Sequence, residues 1–106
     1  MPKYLIQANY TLSGVQGLIK EGGTQRRAAV THLVESLGGK VEAFYFAFGA
    51  NDVVIIADMP DAASTIAAAL TSGAGGGAEV QTTVLITPEE MDAAVQKQAS
   101  YRAPGA

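Results

Sequence analysis

The sequence predicts an α+β domain of the ferredoxin-like βαββαβ kind, a four-stranded antiparallel sheet with helices on one face and a short C-terminal helix. Three observations carry this. Four segments, at 4–10, 40–48, 53–57 and 79–86, are β-branched or alternate in polarity. Stretches with apolar residues three and four apart lie between the first and second segments and between the third and fourth. The middle two segments are joined by a four-residue turn alone, Gly49-Ala50-Asn51-Asp52.

The first strand places Tyr4, Ile6, Ala8 and Tyr10 on one face and Leu5, Gln7 and Asn9 on the other. Thr11-Leu12-Ser13 is a helix start, because a hydroxyl accepts from the orphan amides of a first turn. A short helix with Val15, Leu18 and Ile19 follows, interrupted at Gly22-Gly23. From Thr24 to Leu37 the spacing of Ala29, Val30, Leu33, Val34 and Leu37 predicts a helix with one apolar stripe, and Gly38-Gly39 ends it in the left-handed conformation that glycine tolerates. The second strand, Lys40 to Phe48, is expected to show Phe44, Phe46 and Phe48 on one face and Val41, Ala43, Tyr45 and Ala47 on the other. Val53 to Ala57 is apolar on both faces. Pro60-Asp61 opens the next helix, whose Ala62, Ala63, Ile66, Ala67 and Leu70 allow close packing, and Gly73 to Gly77 is expected to form a loose connector. After the fourth strand, Thr87-Pro88-Glu89-Glu90 combines a cap, a proline at the first helical position and a glutamate three residues after the cap. Residues 1–97 thus form a single domain, and 98–106 an extended tail.

A chain of 106 residues buries only about two thirds of its unfolded surface. Hydrophobic residues make up 48% of it and charged ones 16%, against ~25% charged in an ordinary soluble domain. The shortage of charge implies surface meant for a partner. A net charge of −3 speaks against nucleic acid. The absence of cysteine excludes disulfides, thiolate catalysis and cysteine-held metals. Neither a signal peptide nor an apolar run of ~18 residues is present, so no membrane association and a cytoplasmic location are expected.

Several short motifs recur together: Gln7-x-x-Tyr10-Thr11, Gly22-Gly23-x-x-Arg26, Gly38-Gly39-Lys40, Phe44-Tyr45-Phe46-Ala47-Phe48-Gly49, Asp52-Val53-Val54, Pro60-Asp61 and Thr82-Thr83-Val84-Leu85. With them the chain resembles the GYD-domain family of small bacterial proteins over nearly its whole length. The resemblance implies a ferredoxin-like fold and oligomerisation, and implies no settled activity. The family's Gly-Tyr-Asp signature is kept here as Gly49 and Asp52, with Asn51 where the tyrosine is expected, so no role of that tyrosine carries over.

Arg26 is the most informative charged residue, since the apolar stripe lies at +3, +4, +7, +8 and +11 from it. A charge on a core-facing stripe needs a partner. Either its stem packs while its head reaches water or a structural carboxylate, or it is an anion-binding arginine. Topology brings Tyr10, Phe48, Asp52 and Arg26 to one end of the sheet, where Tyr10 and Arg26 can hold a carboxylate or phenolate. Asp52 there either orients Arg26, serves as a base, or forms a plain structural pair with it. His32, at +6 from Arg26, falls off the stripe and is expected to be exposed. No set of ligands for a metal and no motif for a cofactor is found, and the glycine run lacks the strand before it and the Lys-Ser/Thr after it that a phosphate loop needs.

No activity follows from these residues. The first expectation is a non-catalytic homo-oligomer, dimer or higher, joined through the sheet face and binding a small, partly anionic ligand or a protein partner. The alternative is a cofactor-free enzyme of the dimeric α/β-barrel type, a monooxygenase, isomerase or lyase, which is analogy at the level of fold.

Overall fold

A computed structural model describes residues 1–106. Its elements run β1 (Lys3–Tyr10), α1 (Leu12–Glu21), α2 (Gly23–Ser36), β2 (Lys40–Phe46), β3 (Val53–Asp58), α3 (Ala62–Ala74), β4 (Ala78–Leu85) and α4 (Pro88–Gln96). The sheet order is β2-β3-β1-β4 with every neighbouring pair antiparallel, which is the ferredoxin-like arrangement.

Local chemistry sets the boundaries. Thr11 caps α1 by accepting from the Gly14 amide, and Asp61 caps α3 by accepting from the Ser64 amide. Thr87 and Glu90 form a reciprocal capping box at α4. The two helices between β1 and β2 are separated by Gly22, whose φ of 88° only glycine adopts without strain.

The β1 faces are as predicted, with Ile6, Ala8 and Tyr10 toward the helices. The β2 faces are not. The register shifts between Val41 and Ala43, so Val41 lies opposite Ala57, and Phe44 and Phe46 lie opposite Ile55 and Val53. The extra residue of this bulge, Glu42, moves Val41 to the phenylalanine face. The strand also ends at Phe46, earlier than expected, and Phe48 lies beyond it at 92% exposure. Ile55 and Phe46 thus both face the helices, while Leu5, Tyr45, Val54 and Ile56 face away from them.

The core is formed by Ala8, Val34, Val53, Ile55, Ala57 and Met59. Gly39 has no room for a side chain, because a Cβ there would meet the Met59 sulfur and the Asp58 carbonyl. Phe44 and Phe46 meet edge to face at 5.3 Å between ring centres. Only eight residues are fully buried, so the helix layer does not seal the sheet. The molecule measures 57 × 32 × 23 Å with a radius of gyration of 16.9 Å, against ~13 Å for a compact chain of this length. Much of the excess lies in the C-terminal arm: every residue from Ile86 to Ala106 is exposed, α4 included. No helix is long and apolar enough to cross a membrane.

The glycine connector is shorter than expected, since Gly73 and Ala74 close α3 and only Gly75 to Gly77 link it to β4, and it is bonded to the start of α1. Thr11 donates its amide to the Gly77 carbonyl at 3.0 Å and its hydroxyl to the Gly76 carbonyl at 2.7 Å. Gly14 approaches so closely that a Cβ on it would collide with the Gly77 carbonyl oxygen.

Candidate functional site

The unsealed helix layer leaves a cleft of about 530 Å³ over the sheet, within the range of small-molecule sites. Its floor is apolar, with Ile6, Ala8, Phe44, Ile55 and Val80 from the strands, and its walls come from Leu18 of α1, Val30 and Leu33 of α2, and Ala68 and Ala69 of α3. The small residues of α3 keep that wall low, so the cleft stays open between α2 and α3.

Polar groups gather where β1 ends. Tyr10, Glu21 and Arg26 all line the cleft. Arg26 sits in the first turn of α2 and Glu21 at the last residue of α1, across the Gly22 break. An Arg26 Nη1 lies 3.6 Å from a Glu21 Oε2, an ion-pair contact too long for a hydrogen bond. The guanidinium has five donors, so this contact leaves it able to hold an acidic group. Burial raises the Tyr10 pKa, the nearby Arg26 opposes that, and Asp52 and Glu21 add to it. The phenol therefore keeps its proton at neutral pH and can donate it in a hydrogen bond.

Of the four residues singled out from the sequence, Tyr10 and Arg26 lie in the cleft, while Asp52 and Phe48 do not line it. Asp52 is used by the backbone: its Oδ2 accepts the Tyr10 amide at 2.9 Å, its own amide donates to the Ala8 carbonyl and to Asn9 Oδ1, and its carbonyl accepts from the Ala47 amide. It fastens β1 to the β2–β3 turn, and the close carboxylate partner of Arg26 is Glu21. Phe48 is turned to solvent. His32 is exposed, as expected. Asn51 accepts from the Gln7 amide nitrogen at 3.0 Å. Glu21 was missed because helical periodicity does not run across the Gly22 break. Its one signal in the sequence is an acid at a helix end five residues before Arg26. No cluster of three potential metal ligands is present.

The sequence model of the GYD domain matches residues 4–95. The chain belongs to the GYD domain family. No curated protein matches this GYD domain in sequence. Among solved structures it is similar to the crystal structure of MtbAldR (Rv2779c), at 19% identity and a TM-score of 0.54, over 81% of this chain and 52% of that one. The GYD domain thus spans about half the length of that protein, and the likeness concerns the fold. Tyr10, Arg26 and Asp52 all fall inside the matched span of the GYD domain.

Proposed function

We propose that this protein binds, without transforming it, a small amphipathic molecule with an apolar body and an anionic head, as a homo-oligomer in the cytoplasm. The observation that carries the reading is the cleft itself: an apolar volume of about 530 Å³ with Arg26 and the protonated Tyr10 together at one end. An apolar body would fill the unsealed core, and a carboxylate would take the free guanidinium donors and the phenol. A carboxylate hydrogen-bonded to Arg26 gains about 1.5–3 kcal/mol over a neutral analogue. Oligomerisation is supported by Leu5, Tyr45, Val54 and Ile56 on the face without helices, and the cytoplasm by the lack of cysteine. Catalysis without a cofactor has less support: Tyr10 holds its proton, His32 is outside the cleft and the Asp52 carboxylate accepts a backbone amide.

The test compares aliphatic and aryl monocarboxylates with their matched alcohols by calorimetry. The expected result is tighter binding of the acids by roughly ten-fold or more, and loss of that preference in Arg26→Met, which keeps the apolar stem. Equal binding of acid and alcohol by the native protein would overturn the anionic part of the reading. Turnover of a bound acid would overturn its non-catalytic part.

A further inference from the structure

The two edges of the sheet differ. β2 is bulged at Glu42 and carries Lys40 and Glu42, devices that keep an edge from pairing. β4 pairs with β1 in unbroken register over eight residues, contains no proline or lysine, and has Glu79 as its one charge. Its outer edge is free, since β4 ends the sheet order.

The strand leads through Ile86 and Thr87 into α4, which exposes Met91 and Val95 at 49% and 68%, four residues apart on one face. A helix of nine residues is not stable alone in water, however well capped. At the other end of β4, Ala78 lies opposite Tyr10 and next to the start of α1. α1 itself exposes Leu12, Val15 and Ile19 at 76%, 39% and 80%, a stripe at i, i+3 and i+7, while its other side lines the cleft with Leu18 and Glu21.

We propose that two copies of this chain pair antiparallel through their β4 edges and exchange their C-terminal arms. Antiparallel pairing about a two-fold axis at Gln81 or Thr82 sets the Leu85 end of one strand beside the Ala78 end of the other. The two-residue link then roots each α4 at the partner's α1, where the Met91–Val95 stripe meets the Leu12–Val15–Ile19 stripe. The surface agrees with a second copy as the occupant. The chain exposes 7250 Å², whereas a folded monomer of its mass exposes about 5,600 Å². The difference is about twice the ~800 Å² that each partner contributes to a stable interface. The inference is independent of what the cleft binds.

The chain has no cysteine, so introduced thiols report on it directly. Of Gln81→Cys and Thr82→Cys, each made in the whole chain, the one that lies on the axis is expected to cross-link to itself on mild oxidation, and Glu35→Cys, exposed on α2, is not. Leu12→Cys mixed with Met91→Cys is expected to give the mixed covalent dimer. Met91→Glu with Val95→Glu changes only exposed positions and is expected to raise the dissociation constant of the edge dimer about ten-fold or more. A protein that light scattering shows to be monomeric at micromolar concentration overturns the proposal. So does an oligomer in which neither position 81 nor position 82 cross-links. If position 81 or 82 cross-links but the mixed dimer does not form, the pairing holds and the exchange is overturned. Loss of ligand binding with these cross-links intact overturns the cleft reading alone.

Discussion

At the scale of single residues, the contacts that matter are close approaches of backbone and the charges at the cleft end. Gly14→Ala would drive a methyl into the Gly77 carbonyl, and both partners are backbone held by Thr11. Neither can give cheaply, so Gly14→Ala should destabilise by about 1–3 kcal/mol, and Gly17→Ala, which meets nothing within 4 Å, should not. Chemical denaturation of the two variants checks this. Asp61 offers a pH test. Its hydrogen bonds from Ser64 hold its carboxyl below its ordinary value of 3.8. A depressed folded pKa means the carboxylate stabilises the fold above that ordinary value, and the contribution is lost as the pH falls through the lower folded one. Asp61→Asn keeps a capping oxygen without the charge, so its acid melting curve below pH 4 should be flatter than the native one. An unchanged acid slope would show that other carboxylates set it.

At the scale of elements, the caps and breaks were legible because each is local chemistry. Thr11, Asp61, Thr87, Gly22 and Gly38 mark the helix ends within a residue or two of where they fall. What was not legible depends on neighbours distant in sequence. The bulge at Glu42 shows only in the pairing with β3, where Lys3 meets Glu42 and Asp58 at 3.0 and 2.9 Å, and nothing within Lys40–Phe48 announces it. One inserted residue reversed the facing of Val41, and the early end of β2 at Phe46 made the phenylalanine stripe two residues long. The same holds for the site. Tyr10 and Arg26 were found by their place on a strand end and a helix stripe. Glu21 and the change in the role of Asp52 emerge only once α1 crosses the end of the sheet. The glycine connector shows a third case, since its fastening depends on the Thr11 hydroxyl, 65 residues away. Thr11→Ala removes both the α1 cap and that bond, and should cost about 1–2 kcal/mol. Faster amide exchange at Gly14 and Gly76 in this variant than in Thr87→Ala would confirm that the loss is local to the connector.

At the scale of the whole molecule, a chain that is 48% hydrophobic fully buries only eight residues, and the proposed oligomer would cover part of the rest. Its uncovered sheet face has the layout of an interface: Leu5, Tyr45, Val54 and Ile56 at the middle, Lys3 with Glu42 and Asp58 toward one end, and Gln7 with Asn51 toward the other. An apolar centre within a polar rim is the anatomy of a specific contact. Ile56→Lys places a charge at that centre without entering the core, because Ile56 faces away from the helices. Two faces that match across a two-fold axis would each receive the lysine, so that contact should part and leave at most the pair joined through β4, while the chain keeps its circular dichroism and its melting transition. Tyr45→Glu should act in the same way, more weakly, because Tyr45 lies on the edge strand β2 and Ile56 on the inner strand β3. Phe46→Lys and Ile55→Lys are controls of the opposite kind, since both side chains face the helices and should unfold the chain rather than part it. If Ile56→Lys stays in the native oligomer, by light scattering at micromolar concentration, the sheet face is not the contact, and cross-linking at positions 81 and 82 then shows whether the β4 edge holds the copies together by itself.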